Sequence, residues 1–223
     1  MIKHIHLNDC DSTQELLKEQ LNNQPTEEPV LVSCENQISG RGRGENKWQA
    51  MPGTLCFSIN LKAHPVMSYT ALEVSVIIAK FFEMKGKKLK LKWPNDLWNE
   101  DSKKCAGILI QANQNALLTG IGINLFSHDD EFGGVFPSAF EMDKKVWSRD
   151  IAEFIFNNRY QDLKSLRADW LYRCSHLNQM VRITEGNEVF EGLFQGLGEH
   201  GEAEVCTDGQ INHIYNGSLR IIS

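Results

Sequence analysis

The chain has 223 residues, 41% of them hydrophobic, which is enough for one full core and a small satellite domain. A formal net charge of −6 excludes a general affinity for nucleic acid, whose phosphates are bound by net positive faces, so any positive field must be local. Residues 1–7 lack the apolar core of a cleavable leader, and no run approaches the ~18 apolar residues of a membrane helix, so no membrane association and a cytoplasmic location are expected.

Residues 2–7 alternate as a strand, and Asp9-Cys10-Asp11 turns the chain into a helix running from Ser12 to Leu21. Ser12 followed by Glu15 is the capping-box spacing. Ser12 and Thr13 either cap that helix or also turn hydroxyls towards a small polar ligand at its N-terminus, and the two roles are compatible. A polar, proline-bounded loop (24–29) precedes a strand over 30–34.

Residues 37–48 then read Q-I-S-G-R-G-R-G-E-N-K-W. Three glycines alternating with two arginines sustain neither a helix nor a well-filled strand, so the segment is expected to be a loop. Gly-Arg runs also occur as mobile surface loops or as tails on nucleic acid. Here, apolar segments at 30–34 and 54–61 flank the run, which hangs it between two strands. Uncovered backbone amides beside the guanidinium forks of Arg41 and Arg43 make an anion cradle. The spacing matches neither the dinucleotide fingerprint nor the P-loop.

A strand over 54–61 leads to a helix over 69–82, with Ala71, Val74, Ile77, Ile78 and Phe81 on one face. Residues 89–93 read as a strand ended by Pro94-Asn95-Asp96, and 99–104 as a charged turn. Two strands, 106–112 and 117–125, are joined by a hairpin connection at 113–115. The second contains G-I-G-I-N. Glycines 120 and 122 weaken a strand, so either backbone or a ligand approaches closely there or they mark a bulge or tight packing against a neighbouring element.

Residues 127–145 read as a long loop and 149–174 as helix, with Asn157-Asn158 a candidate break. Beyond Asn178 the texture changes to short strands (179–184, 188–197, 202–207, 211–215, 218–222) separated by glycine turns, a small barrel appended to an α+β domain. The expected domains are therefore 1–177 and 178–223. Cys10, Cys34, Cys56, Cys105, Cys174 and Cys206 form no C-x-x-C pair and read as reduced thiols. His4 and His6 are better explained as hydrogen-bonded strand residues than as a metal pair, and no structural metal is assigned.

Four polar clusters at element ends need one explanation: Ser12-Thr13-Gln14, Gln37 with Arg41 and Arg43, Lys92 to Asp96 with Lys104, and Asn124. Two arginines and two lysines around a glycine loop suit chemistry on phosphates. Nothing has the form of a Ser-His-Asp set or a paired-carboxylate hydrolase.

The chain resembles the biotin–protein ligases of the kind without an N-terminal DNA-binding domain. D-S-T at 11–13, G-R-G-R with K-W at 40–48, K-W-P-N-D-L at 92–97, K-C-A-G-I-L at 104–109 and G-I-G-I-N at 120–124 come in that family's order, and Gly217-Ser218-Leu219-Arg220 resembles its C-terminal SH3-like barrel. Glu45-Asn46 stands where the family usually has a glycine and a basic or amide residue.

The resemblance implies a mixed-sheet catalytic domain of the class II aminoacyl-tRNA synthetase/biotin ligase type. It implies ATP and Mg²⁺ as co-substrate and ion, biotin as substrate, and the biotin carboxyl carrier protein of acetyl-CoA carboxylase as partner. DNA is not expected as a partner, and monomer and homodimer both stay open. By the family's pattern Ser12, Thr13, Gln14, Gln37 and Gly40 contact biotin. Arg41, Gly42, Arg43 and Lys104 wrap the carboxylate and phosphate, while Lys92, Asn95, Trp48 and Asn124 lie on the ATP side. Asp96 orients or deprotonates the incoming lysine. The rivals are a lipoate–protein ligase and a non-catalytic nucleotide-binding module.

Overall fold

Strict two-residue alternation builds the central sheet. In Thr54–Leu61 (β5) the odd positions Leu55, Phe57, Ile59 and Leu61 are large and apolar, while the even positions are Thr54, Cys56, Ser58 and Asn60. In Ala116–Asn124 (β9) Ile121 and Ile123 alternate with Gly120 and Gly122. Paired antiparallel, with Ser58 opposite Gly120 and Cys56 opposite Gly122, these strands have one apolar face and one face of small or polar residues. The computed structural model describes residues 2–26, 28–44, 46–113, 116–126 and 132–222.

The sheet is completed by β1 (Lys3–Cys10), β2 (Val30–Gln37), β6 (Lys90–Lys92), β7 (Asp96–Trp98) and β8 (Lys104–Asn113), in the order β1-β2-β5-β9-β8-β7-β6. β1 and β2 are parallel and the other pairs antiparallel, which makes the sheet mixed. Helix α1 (Thr13–Asn23) lies on the small-residue face, burying Leu17 and Leu21 with Val30, Val32 and Leu118. Helix α2 (Tyr69–Glu83) packs its apolar residues with Leu55, Phe57, Ile59, Ile121 and Ile123 of the other face into the main core.

The C-terminal strands β10 (Met180–Glu185), β11 (Glu188–Leu197), β12 (Ala203–Thr207), β13 (Gln210–Ile214) and β14 (Ser218–Ile221) form an antiparallel sheet in the order β13-β12-β11-β10-β14. Its core, including Val181, Ile183, Phe194 and Val205, is continuous with the main one. The Tyr69 hydroxyl donates to Gly198 O at 2.6 Å and Trp93 Nε1 donates to Gly201 O at 3.1 Å. The sheet is thereby pinned beside the K-W-P-N-D segment.

Several elements depart from the sequence expectations. The capping box does not form: Ser12 makes no side-chain cap, and Glu15 reaches outward to Arg41. The Gly-Arg loop is a small hairpin whose base, β3 (Gly40–Arg41) with β4 (Lys47–Trp48), pairs Gly40 with Trp48 and Arg41 with Lys47. β7 was hidden by its neighbour Pro94, which ends one strand without preventing the next.

The expected 149–174 helix starts earlier and breaks at the candidate position Asn157-Asn158, giving α3 (Lys144–Asn157) and α4 (Leu163–Arg173). Asp143 caps α3 by accepting from Val146 N, and Asp162 caps α4 by accepting from Lys164 N and Ser165 N. Between them, the buried carboxylate of Glu73 accepts from Tyr160 N at 2.7 Å and pairs with Arg159 at 2.7 Å, which compensates the break. Within the two expected connections, residues 114, 115 and 127–131 lie outside the described residues, as does Glu45 of the glycine loop. Among the described residues no helix is long and apolar enough to cross a membrane.

Candidate active site

A cavity of about 970 Å³ opens on the small-residue face, between α1, the Gly-Arg hairpin, the P-N-D turn and the C-terminal sheet. Gly107, Gly120 and Gly122 lie in its floor. The two glycines of β9 mark tight packing against neighbouring elements, with side chains in the space a Cβ would take. A Cβ on Gly120 would lie 1.9 Å from Gln14 Oε1, and one on Gly122 would lie 2.3 Å from Trp48 Cε2. The glycines are the space that two candidate site residues occupy.

At the end beneath α1, Gln37 Oε1 accepts from Thr13 N at 2.9 Å and from Thr13 Oγ1 at 3.1 Å. The Ser58 hydroxyl, 2.9 Å from Thr13 Oγ1, is then left to donate to it. Gln14 Nε2 donates to Gln111 Oε1 at 3.2 Å and to the Leu109 and Leu118 carbonyls at 3.4 Å, while its buried Oε1 has no protein partner. A buried acceptor held over a glycine beside two hydroxyls is a ready socket for a small polar head group.

The other end is cationic. Among the described residues Arg41, Arg43, Lys47, Lys92 and Lys104 line the cavity against Asp96 and Glu185, a local reversal of the chain's net charge of −6. Lys104 Nζ sits 2.6 Å from Asp96 Oδ1 and 5.6 Å from the centre of the Trp48 ring. Arg41 pairs with Glu15 at 2.7 Å. Burial lowers the pKa of Arg43 and of Lys92, opposed in both by Asp96. Asn95 is fixed on β8, donating from Nδ2 to Ile108 O at 2.6 Å and accepting from Ile108 N at 3.0 Å. Gly44 turns the hairpin tip with φ of +60°, a conformation that glycine adopts without strain.

Ser12, Thr13, Gln14, Gln37, Arg41, Gly42, Arg43, Trp48, Lys92, Asn95, Asp96 and Lys104 therefore all line one cavity. Two predicted residues lie behind it. Gly40 is buried at the hairpin base, where a Cβ would lie 2.3 Å from Trp48 O. Asn124 is buried, with Oδ1 accepting from Thr54 Oγ1 at 2.7 Å.

Residues 8–126 match the biotin/lipoate A/B protein ligase family, and residues 176–218 match the biotin protein ligase C-terminal domain. The chain belongs to the biotin/lipoate A/B protein ligase family. It is 24% identical to the bifunctional ligase/repressor BirA of Bacillus subtilis over 99% of this chain and 75% of that protein. It is 25% identical to the biotin–[acetyl-CoA-carboxylase] ligase of Mycobacterium tuberculosis over 80% of this chain and 73% of that one. Its fold superposes on the Aquifex aeolicus biotin protein ligase, solved with biotin and ATP, with a TM-score of 0.82 at 24% identity over 99% of both chains.

For a ligase of this family, the sequence reasoning overlooked Ser58, Gln111 and the C-terminal turn at Asn216 and Gly217, all of which line the cavity. Ser58 had a signal, a hydroxyl at an even position of a strand whose odd positions are all large and apolar. Asn216 had none, because its relevance comes from a contact 173 residues away in the chain.

Proposed function

We propose that the chain is an ATP-dependent biotin–protein ligase that forms biotinyl-5′-AMP and transfers biotin to a lysine of the biotin carboxyl carrier protein of acetyl-CoA carboxylase. One observation carries this reading. A socket of amide and hydroxyl groups and a cationic glycine–arginine hairpin share a single cavity, of a size to hold two small molecules side by side.

In the first step a biotin carboxylate oxygen attacks the α-phosphorus of ATP, and the bond to the departing pyrophosphate breaks. Both reactants are anions, so the barrier is dominated by their repulsion, which pre-placed cations offset. Arg41, Arg43 and Lys104 supply that charge. Thr13, Gln14, Gln37 and Ser12 hold the vitamin's head group, with Gln14 Oε1 free to accept a hydrogen bond. Trp48, Lys92 and Asn95 lie towards the nucleotide, with Asn124 supporting β9 behind it.

In the second step a neutral carrier amine attacks the acyl carbon, forming the amide and expelling AMP. A free lysine has a pKa near ~10.4, so it must lose a proton, and Asp96 is the cavity carboxylate placed to orient it or accept that proton. Asp96 is free for this once Lys104 turns to phosphate oxygens. Mg²⁺ would come carried by the triphosphate, keeping most of its waters, and among the described residues no group of three or more metal-ligating side chains is assembled to hold it.

Residues 1–177 form the catalytic unit and 178–223 the SH3-like C-terminal domain, and the enzyme works in the cytoplasm. The match of 176–218 to the biotin protein ligase C-terminal domain favours biotin over lipoate. Biotin-dependent ATP–pyrophosphate exchange tests the reading. Exchange with biotin and not with lipoate is expected; exchange driven by lipoate, or by neither acid, would overturn it.

A further inference from the structure

A guanidinium has five N–H donors, and three of those on Arg43 are spent on the protein. Nη1 donates to Asn95 Oδ1 at 3.3 Å and to the Gly217 carbonyl at 3.1 Å, and Nη2 donates to Asn216 Oδ1. Two of these acceptors belong to the turn between β13 and β14, in the C-terminal sheet. That turn is itself fixed: Gly217 N donates to Asn216 Oδ1 at 2.9 Å, and Gly217 has φ of +129° with space for no Cβ, which would lie 2.6 Å from Thr184 O. The hairpin tip otherwise bonds within itself, Gly42 N to Asn46 O at 2.8 Å and Asn46 N to Arg43 O at 3.2 Å. Among the described residues Arg43 ties the tip to Asn95 and to the turn between β13 and β14, while Arg41 ties the hairpin base to Glu15 of α1, and two Arg43 N–H groups remain for an anion in the cavity.

We propose that the Asn216–Gly217 turn is a latch that holds the glycine–arginine hairpin shut through Arg43, so that the C-terminal sheet sets how long an acyl-adenylate stays in the cavity. Asn216 is a positioning residue: it acts through Arg43 and touches no reacting atom. The latch itself stands on the contacts above, whereas its effect on the acyl-adenylate rests on the ligase reading.

Limited trypsin digestion of the full chain tests the latch without any ligand. Arg41, Arg43 and Lys47 are cleavage positions in the hairpin, and cleavage of a folded segment tracks the population of its open form. Asn216→Ala should speed cleavage over 41–47 by roughly threefold to tenfold, the population change that one ordinary net hydrogen bond controls. Cleavage after Arg182 and Arg220, in the same sheet as the turn, should not change. Asn216→Asp keeps an acceptor and adds charge, so it should protect the hairpin at least as well as the native residue.

In enzyme loaded with biotin and ATP, Asn216→Ala should raise acyl transfer to free amines by a similar factor, and Asn216→Asp should not. Equal hairpin cleavage in all three proteins would overturn the latch. So would an Asn216→Ala variant cleaved faster at Arg182 and Arg220 to the same degree, which is the signature of a turn that merely supports the sheet. Absence of biotin-dependent exchange in the native protein would instead strike the ligase reading and leave the proteolysis result standing.

Discussion

Replacing Gly122 by alanine tests whether the floor of the cavity positions the Trp48 indole. The added Cβ would lie 2.3 Å from Cε2, 2.5 Å from Cζ2 and 2.7 Å from Nε1 of Trp48, against a resting separation of about 3.5 to 4 Å between carbon atoms, so the ring must shift by ~1 Å or more. The strand cannot yield instead, because Gly122 is paired on both sides, to Cys56 of β5 and Gly107 of β8. Overpacking of this kind costs about 1 to 3 kcal/mol.

Trp48 is only half-buried, so most of that strain is relieved by moving the ring and the base of the hairpin, not by unfolding. At 1.4 kcal/mol per factor of ten, nucleotide affinity should weaken by roughly tenfold, while biotin binding, which the proposed reading assigns to Thr13, Gln14 and Gln37, should change by less than about twofold. Titration calorimetry with biotin, followed by a non-hydrolysable ATP analogue on the biotin-loaded protein, separates the two. Unchanged nucleotide affinity, or an equal loss for both ligands, would refute the assignment of the indole to the nucleotide side.

Lys104→Ala should lower the rate of adenylate formation by ~2 to 4 kcal/mol of transition-state stabilisation, read as pyrophosphate exchange, with thermal stability little changed because the Lys104–Asp96 pair is partly exposed. Arg43→Gly removes the three Arg43 hydrogen bonds that tie the hairpin tip, leaving the Arg41–Glu15 pair, and should release the acyl-adenylate onto unrelated amines; a chase experiment showing native retention would exclude that role. His176 is packed 4.3 Å from the Phe194 ring, and burial, with Lys92 nearby, pushes its pKa down to about 3 from 6.5. The unfolded chain therefore binds a proton below about pH 6.5 that the folded chain refuses until near pH 3, so stability falls as pH drops through that window and is unaffected above it. Urea denaturation should show His176→Phe removing about 2 kcal/mol of the native protein's loss between pH 7 and pH 5.

What could be read from the sequence follows physical range. The glycine–arginine segment, Lys104 and Gln14 were visible as cavity-lining candidates because their chemistry is in the residue type and their placement at element ends is local, whereas the pairing that makes the segment a hairpin was not. The α+β class was visible because β5 alternates cleanly, α2 keeps a helical period and glycine turns punctuate β10 to β14, whereas the mixed-sheet type came from the family resemblance. Contacts between distant segments were not visible. Glu15 fits a capping box by spacing, yet it pairs with Arg41, and only the approach of the hairpin to α1 decides between the two. β7 was masked by Pro94, and the start of α3 by the polar texture around Asp143, whose capping role was itself the missed signal. Gly120 and Gly122 declared that something comes close; that Gln14 and Trp48 do so depends on how α1 and the hairpin lie on the sheet.

On the ligase reading, the cationic hairpin and the amide and hydroxyl socket close over two reactants at once and retain what they form. Native mass spectrometry of the chain mixed with biotin, ATP and Mg²⁺, without a carrier protein, tests it most directly. A single added mass equal to biotinyl-5′-AMP, retained after removal of free ligand and discharged when carrier is added, is the predicted result. Bound biotin and ATP that persist unreacted, or an adenylate that appears only free in solution, would contradict it.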